Sequence, residues 1–213
     1  MTKAILIIGA GGHAAVLADV LQQLGQTITA IVAPQRPEPR AVFAGITWLN
    51  SDQDILRFAP EQVLLVNGIG SLPGHNRRAI VQQNMIDAGY TFATVIAPTA
   101  IVSPYASIAE GVQIMPGAIV NVGAMVGPGS IINSGAIVEH DCQIGALNHL
   151  APGAVLCGAV RTGPGVHVGT GAVVIQNVSI GANTVIAANA TVRQDLPADS
   201  TLYGAQSCLK GEN

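Results

Sequence analysis

The stretch IMPGAIVNVGAMVGPGSIINSGAIV, Ile114 to Val138, repeats every six residues. Ile114, Val120, Val126, Ile132 and Val138 mark the period, and the residue four places after each of the first four is small: Ala118, Ala124, Ser130, Ala136. Followed outward, the same phase runs from Ile96 to Val192, and sixteen of its seventeen positions are aliphatic, with Thr162 the exception. A strict hexapeptide period held this long predicts a parallel β-helix, in which three hexapeptides close one triangular coil and residues eighteen apart stack. Prisms built on this repeat are left-handed, against the usual right-handed crossover. Their tight corners favour residues that tolerate positive φ. Asn121, Asn133, Asn148, Asn183 and Asn189 are the predicted corner residues.

Upstream of Ile96 the period changes. Ala4–Ile8 is a short apolar run ending in glycine, and residues 14–24 have helical apolar spacing that stops at Gly25. Residues 27–32 and 62–66 read as strands, 77–88 as a helix ending at Gly89, and 90–95 as a last strand. Ser51 with Asp54 three places later forms a capping pattern over residues 51–58. This alternation predicts a short parallel sheet with helices, a Rossmann-like domain over residues 1–95, followed by a β-helix domain with its tail over 96–213.

Composition narrows the function. Of 213 residues, 49% are hydrophobic and only 10% charged, so much of the surface is uncharged and some of it is expected to be covered by other copies of the chain. A net charge of −3 without basic runs argues against nucleic-acid binding. No apolar run is long enough for a membrane span. The opening MTKAILIIGAGG reads as a first strand and not a signal peptide. Three cysteines, Cys142, Cys157 and Cys208, form no C-x-x-C pair, which suits a reducing cytoplasm.

Two places concentrate chemistry. Residues 96–195 carry six charged side chains, and two of them, Glu139 and Asp141, flank His140. A carboxylate beside an imidazole fixes its tautomer and supports it as a general base. His149 follows nine residues later and stacks with His167 one coil on, while Gly158 stacks on His140 and leaves room for a ligand, with an N–H for an oxyanion. Spacings of nine and eighteen disfavour a zinc site, and no metal is expected. Cys142 and Cys157 read as packing residues. In the N-terminal part, Gly9-x-Gly11-x-x-Ala14 follows a strand and opens a helix, the pattern that brings backbone N–H groups to a diphosphate. The second strand ends Ile31-Val32-Ala33-Pro34 without the acid that would read an NAD ribose. Asn67-Gly68-Ile69-Gly70-Ser71 forms a second glycine-rich strand end beside the first, with Arg77 and Arg78 following.

GAGGHA, NGIGS and hexapeptides carrying EHD with a second histidine nine residues on together resemble the sugar O-/N-acetyltransferase family that includes sialic acid O-acetyltransferases. Within it the chain looks most like bacterial N-acetyltransferases acting on nucleotide-linked 4-amino-4,6-dideoxy sugars. The resemblance implies a homotrimer with acetyl-CoA in the groove between prisms and the sugar nucleotide on the N-terminal domain. It implies that His140 is the base, Asp141 its supporting acid, His149 the histidine near the acetyl carbonyl, and Gly158 the N–H facing the thioester oxygen. Thr170 and Ala188 match positions lining the CoA tail. Gly9, Gly11, Gly12 and His13, with Asn67 and Gly68, match the substrate loops. The chain departs from the family at Ala33-Pro34, where relatives often carry acids, and at Gly204-Ala205-Gln206-Ser207, where they commonly end in G-x-P-A-K. Direct acetyl transfer to the 4-amino group is the expected reaction, serving glycan or protein glycosylation. Sugar O-acetylation and a non-enzymatic scaffold are the alternatives. A serine acetyltransferase is disfavoured, because its N-terminal part is helical.

Overall fold

The computed structural model describes residues 3–204. Cys208 and the tail residues 205–207 lie outside that range. The N-terminal sheet is wholly parallel, with order β3-β2-β1-β4: β1 (Ala4–Ile8), β2 (Ile28–Val32), β3 (Thr47–Leu49) and β4 (Val63–Asn67). Helix α1 (Gly12–Gln23) lays Ala14, Leu17, Ala18 and Leu21 on one side, in a cluster with Ile5, Ile7 and Ile31. Helix α2 (Arg77–Asp87) brings Val81 and Met85 to the other side, against Leu6, Ile8 and Leu65. Alternate residues of β1 thus face opposite layers, as a pleated strand covered on both sides requires.

Two expectations change here. β3 was not legible, because its three residues include a partly exposed Trp48 and lack an apolar run. Residues 90–95 form no N-terminal strand: Phe92 makes a single bridge to Leu65, and Val95–Ile96 is already the first rung of the prism. The capping pattern at Ser51 is real and opens a 3-10 helix over Asp52–Arg57.

From Val95 the chain winds into three parallel sheets of two-residue strands. The first face runs from Val95–Ile96 to Thr201–Leu202, the second from Ile101–Val102 to Thr191–Val192, and the third from Ser107–Ile108 to Ser179–Ile180. Register is eighteen residues throughout, as in Ile131↔His149↔His167. The second residue of each strand points inward, and together these residues form one aliphatic core from Val112 to Val192. Thr162, the exception in the repeat, is buried with a partner: its Oγ1 accepts from Asn148 Nδ2 at 2.5 Å and from the Gly145 N–H at 3.1 Å. Asn148 is therefore a core residue and not a corner, and its Oδ1 accepts from the Val166 N–H at 2.6 Å. Of the predicted corner asparagines, Asn183 and Asn189 do adopt positive φ, as do Asn177, Asp141, Leu147 and Ala159. Asn121 and Asn133 do not; their amides bond Glu139 and His149.

The N-terminal unit sits on the first face and the adjoining third–first edge. Met115 and Ile131 join the core beneath α1, His13 bonds Gln113, and Arg78 bonds Gly129.

Candidate active site

One cavity of about 370 Å³ opens at the C-terminal ends of β1, β2 and β4, lined by residues that include Gly9, Gly11, Gly12, His13, Gly68 and Gly70. The first turn of α1 borders it, so unpaired N–H groups and the positive end of the helix dipole face its contents. Arg77, whose place after the second glycine-rich strand end suits it to offset phosphate charge, also lines it, as does Asp52, which the sequence pattern did not single out. An adjoining cavity of about 550 Å³ carries Arg36, Arg40 and Arg77, a third of the chain's nine Lys and Arg, with Glu38 the opposing charge. That balance favours an anionic ligand.

A hydrogen-bond chain fixes the state of His13. Gln113 Nε2 donates to the Asn67 carbonyl at 2.8 Å, so Gln113 Oε1 is the atom 2.7 Å from His13 Nε2. His13 must then donate through Nε2–H, which leaves Nδ1 an acceptor. Burial, helped by the charge of Arg78, lowers its pKa to about 4 and keeps the ring neutral. Asn67 departs from its expected role. Its amide donates to the Arg78 carbonyl and to Gln82 Oε1, and its Oδ1 accepts from the Ile69 N–H, so it shapes the loop from behind the cavity. Gly68 does line the cavity, anchored by its N–H to the Ile8 carbonyl at 2.7 Å.

His149 is locked at both nitrogens. Nδ1–H donates to the Ser71 carbonyl at 3.0 Å, and Nε2 lies 3.0 Å from Asn133 Nδ2, whose N–H it accepts. Asn133 Oδ1 accepts from the Ser134 N–H, which fixes the amide orientation. Burial first, then neighbouring His167, lowers the His149 pKa to about 3. The ring is thus a neutral rivet between the Asn67–Ser71 loop and the prism. Neither ring nitrogen is left with a free N–H. His167 packs edge-on at 4.9 Å, and its buried Nδ1 has no partner among the described residues.

His140 differs in every respect. It is exposed at the corner between the second and third faces, and Nδ1–H donates to Asp141 Oδ2 at 2.8 Å. Asp141 holds a positive φ of 60°, with its Oδ1 over Gly123, where a Cβ would come within 2.5 Å of that oxygen. Glu139 is turned away and accepts from Asn121 Nδ2 at 2.9 Å, so only one of the two flanking acids serves the ring. Nε2, the free lone pair, lies against Gly158, where a Cβ would sit 2.5 Å from it. The Gly158 N–H has no hydrogen-bond partner among the described residues. Thr170 and Ala188 stack one coil apart, exposed, on the first–second edge.

The chain does not bring these groups together. In a triangular section the second–third edge is the one that the first face does not touch. His140 therefore stands opposite His149 and the N-terminal cavity, although nine residues separate the two histidines in sequence. Along that same edge and the second and third faces that meet at it, on the coils before His140, lie the exposed apolar side chains Ile101, Tyr105, Val122 and Met125. Among the described residues no cluster of His, Cys, Asp or Glu has the makings of a metal site, and no helix is long and apolar enough to cross a membrane.

Residues 4–83 match the PglD N-terminal domain, and residues 159–194 match the bacterial transferase hexapeptide family of six repeats. A mutant of perosamine N-acetyltransferase from Caulobacter crescentus, in complex with CoA and GDP-perosamine, is 34% identical, with 100% of this chain and 99% of that one covered and a TM-score of 0.86. The acetyltransferase domain of PglB from Neisseria gonorrhoeae, in complex with acetyl coenzyme A, is 30% identical over 96% of this chain and 97% of that one, with a TM-score of 0.87. WeeI from Acinetobacter baumannii, at 21% identity over 95% and 97% with a TM-score of 0.79, shares the fold. A comparison with curated proteins returned no match.

Proposed function

The chain belongs to the nucleotide-sugar N-acetyltransferase family of PglD-like left-handed β-helix proteins, and from that premise we propose that its substrate is a nucleotide-linked 4-amino-4,6-dideoxy sugar. It is an acetyl-CoA-dependent N-acetyltransferase of an amino sugar. The N-terminal domain, residues 1–95, holds the sugar nucleotide, and the β-helix domain with its tail, 96–213, holds the acetyl donor. The diphosphate lies at the start of α1 beside Arg77, where helix N–H groups and cationic side chains converge. His13, neutral and with Nδ1 free, accepts a hydrogen bond from a hydroxyl or amine of the sugar.

The working unit is a homotrimer. The observation that carries this is the separation of His140 from the cavity across the full section of the prism, so a second copy must bring its own His140 edge to the first copy's cavity. The exposed apolar row leading to His140 is the surface such a copy would cover. Acetyl-CoA lies in the groove so formed, with Thr170 and Ala188 along its tail.

The reaction is a direct transfer. The sugar amine attacks the thioester carbon while His140 Nε2 takes its proton, and Asp141 supports the cation that forms on the ring. Electrons move to the carbonyl oxygen, which the free Gly158 N–H meets, and collapse expels the CoA thiolate. Alignment of amine and thioester between two copies supplies much of the rate. Cys142 and Cys157, both free among the described residues, suit a cytoplasmic setting, where acetyl-CoA is found.

Thiol release from acetyl-CoA tests the reading, against UDP-, dTDP- and GDP-linked 4-amino-4,6-dideoxy sugars. Release with one amine establishes the substrate. Release only with a hydroxylated sugar would replace N- by O-acetylation, and silence with all of them would remove the catalytic reading.

A further inference from the structure

Arg78 is the one cation in the described chain that is almost fully buried, 5% exposed, and no acid pairs with it. A buried charge without a counter-charge is costly and persists only where hydrogen bonds and geometry require it. Its guanidinium donates to three carbonyls: Asn67 at 2.8 Å, Ile69 at 2.8 Å and, across the boundary to the prism, Gly129 at 3.2 Å. Burial lowers its pKa to about 9, so it remains a cation at neutral pH.

The Ile69 contact has a geometric consequence. In a trans peptide the C=O and the following N–H point in opposite directions, and the described chain has no cis bonds. With the Ile69 carbonyl turned inward to Arg78, the Gly70 N–H is turned outward. Gly70 lines the 370 Å³ cavity, and its N–H has no partner among the described residues. The preceding peptide differs, since the Gly68 N–H is held by the Ile8 carbonyl.

We propose that Arg78 is a positioning residue for the phosphate-bearing part of the substrate: it sets the Ile69–Gly70 peptide so that the Gly70 N–H donates to a diphosphate oxygen. Its uncompensated charge adds an attractive field for that anion, and its bond to Gly129 fixes the loop relative to the prism. The ligand class is a nucleoside diphosphate, so the inference rests on the nucleotide-sugar reading above. Arg77, exposed at the mouth, meets the ligand from solvent, whereas Arg78 acts through the backbone.

The test is a double-mutant cycle read as calorimetric affinity for GDP and UDP and as KM for the nucleotide sugar. Gly70→Ala keeps the N–H and places a Cβ no closer than 4.0 Å to a neighbour, so it serves as the reference, and Gly70→Pro removes the donor. Gly70→Pro is expected to weaken nucleotide binding about tenfold, the scale of one lost hydrogen bond to a charged group. Arg78→Lys should weaken it in the Gly70→Ala background and add little in the Gly70→Pro background, with KM for acetyl-CoA unchanged in all. Equal losses from Arg78→Lys in both backgrounds, or equal nucleotide affinity for Gly70→Ala and Gly70→Pro, would overturn the proposal. The second comparison stands even if Arg78→Lys does not fold. Absence of nucleotide binding by the wild type overturns it too. Nucleotide binding with this dependence but no acetyl transfer would instead sink the catalytic reading and leave this one intact.

Discussion

His140 and His149 lie nine residues apart in the chain and occupy opposite environments. His149 is buried, bonded at both nitrogens and held neutral, whereas His140 is exposed, paired with a carboxylate on one side and open on the other. A proton acceptor in catalysis needs a free lone pair and a partner that welcomes positive charge. The far edge provides both, and the His149 site provides neither. The first face instead provides rigidity, because both His149 ring nitrogens and both polar side-chain atoms of Asn133 are engaged by a neighbour. The contrast teaches that imidazoles on one scaffold divide into open acceptor and rivet by their partners, not by their spacing.

The comparison breaks first at His140. His140→Ala is expected to lower turnover about 10²–10⁴-fold, the range of a lost general base, with the thermal midpoint little changed because the side chain is exposed. Mixing this variant with one inactivated at His13 should restore part of the activity if the two groups come from different copies. No recovery after subunit exchange would return both to one chain. Gly158→Ala comes next. The added methyl meets His140 Nε2, and a displaced base costs on the order of 10²-fold in kcat, with KM for acetyl-CoA and circular dichroism as controls.

Acid sharpens the other half of the contrast. His13 and His149 have folded pKa values of about 4 and about 3, below the usual 6.5. Below pH 6.5 the unfolded chain binds protons that the folded chain refuses, so stability falls as pH drops from about 6.5 toward 3–4. Each ring contributes on the order of 3 kcal/mol at the bottom of that window. Urea midpoints measured from pH 7 to pH 4 should decline and do so less in His149→Gln; a flat profile would mean that the rings are not buried neutral. The smallest effect is in the core. Thr162→Val restores the aliphatic repeat yet should destabilise by about 1–3 kcal/mol, because Asn148 and the Gly145 N–H lose their acceptor. A rise in thermal midpoint would contradict that.

The prism was legible because its period is strict, so a six-residue phase alone placed each inward side chain from Ile96 to Val192. The dyad was legible because its members are adjacent in sequence. Arg78 was not, since Arg77 and Arg78 look alike as letters and only the turn of α2 decides which one is buried. Gln113 read as filler in the repeat, Asn133 as a corner and Ser71 as the end of a glycine-rich loop, and the bonds they make to His13 and His149 arise only when the N-terminal unit docks on the first face. The Asn148–Thr162 pair left a trace, the one break in the aliphatic phase, whose cause lay fourteen residues away. The opposition of His140 and His149 follows from the triangle and not from the count of residues between them.

The rung register has a consequence for length. Each coil stacks at the spacing of paired strands, about 4.8 Å, and every outward residue recurs after eighteen. A single inserted residue would turn every later inward side chain out of phase, whereas a whole added coil would leave the phase untouched. The prism is thus a ruler with fixed graduations. Inserted between Gly158 and Thr170, one coil would move the proposed CoA-tail contacts one graduation from the dyad without disturbing either. Acyl donors of different reach can be matched to such a scaffold in steps, and only in steps.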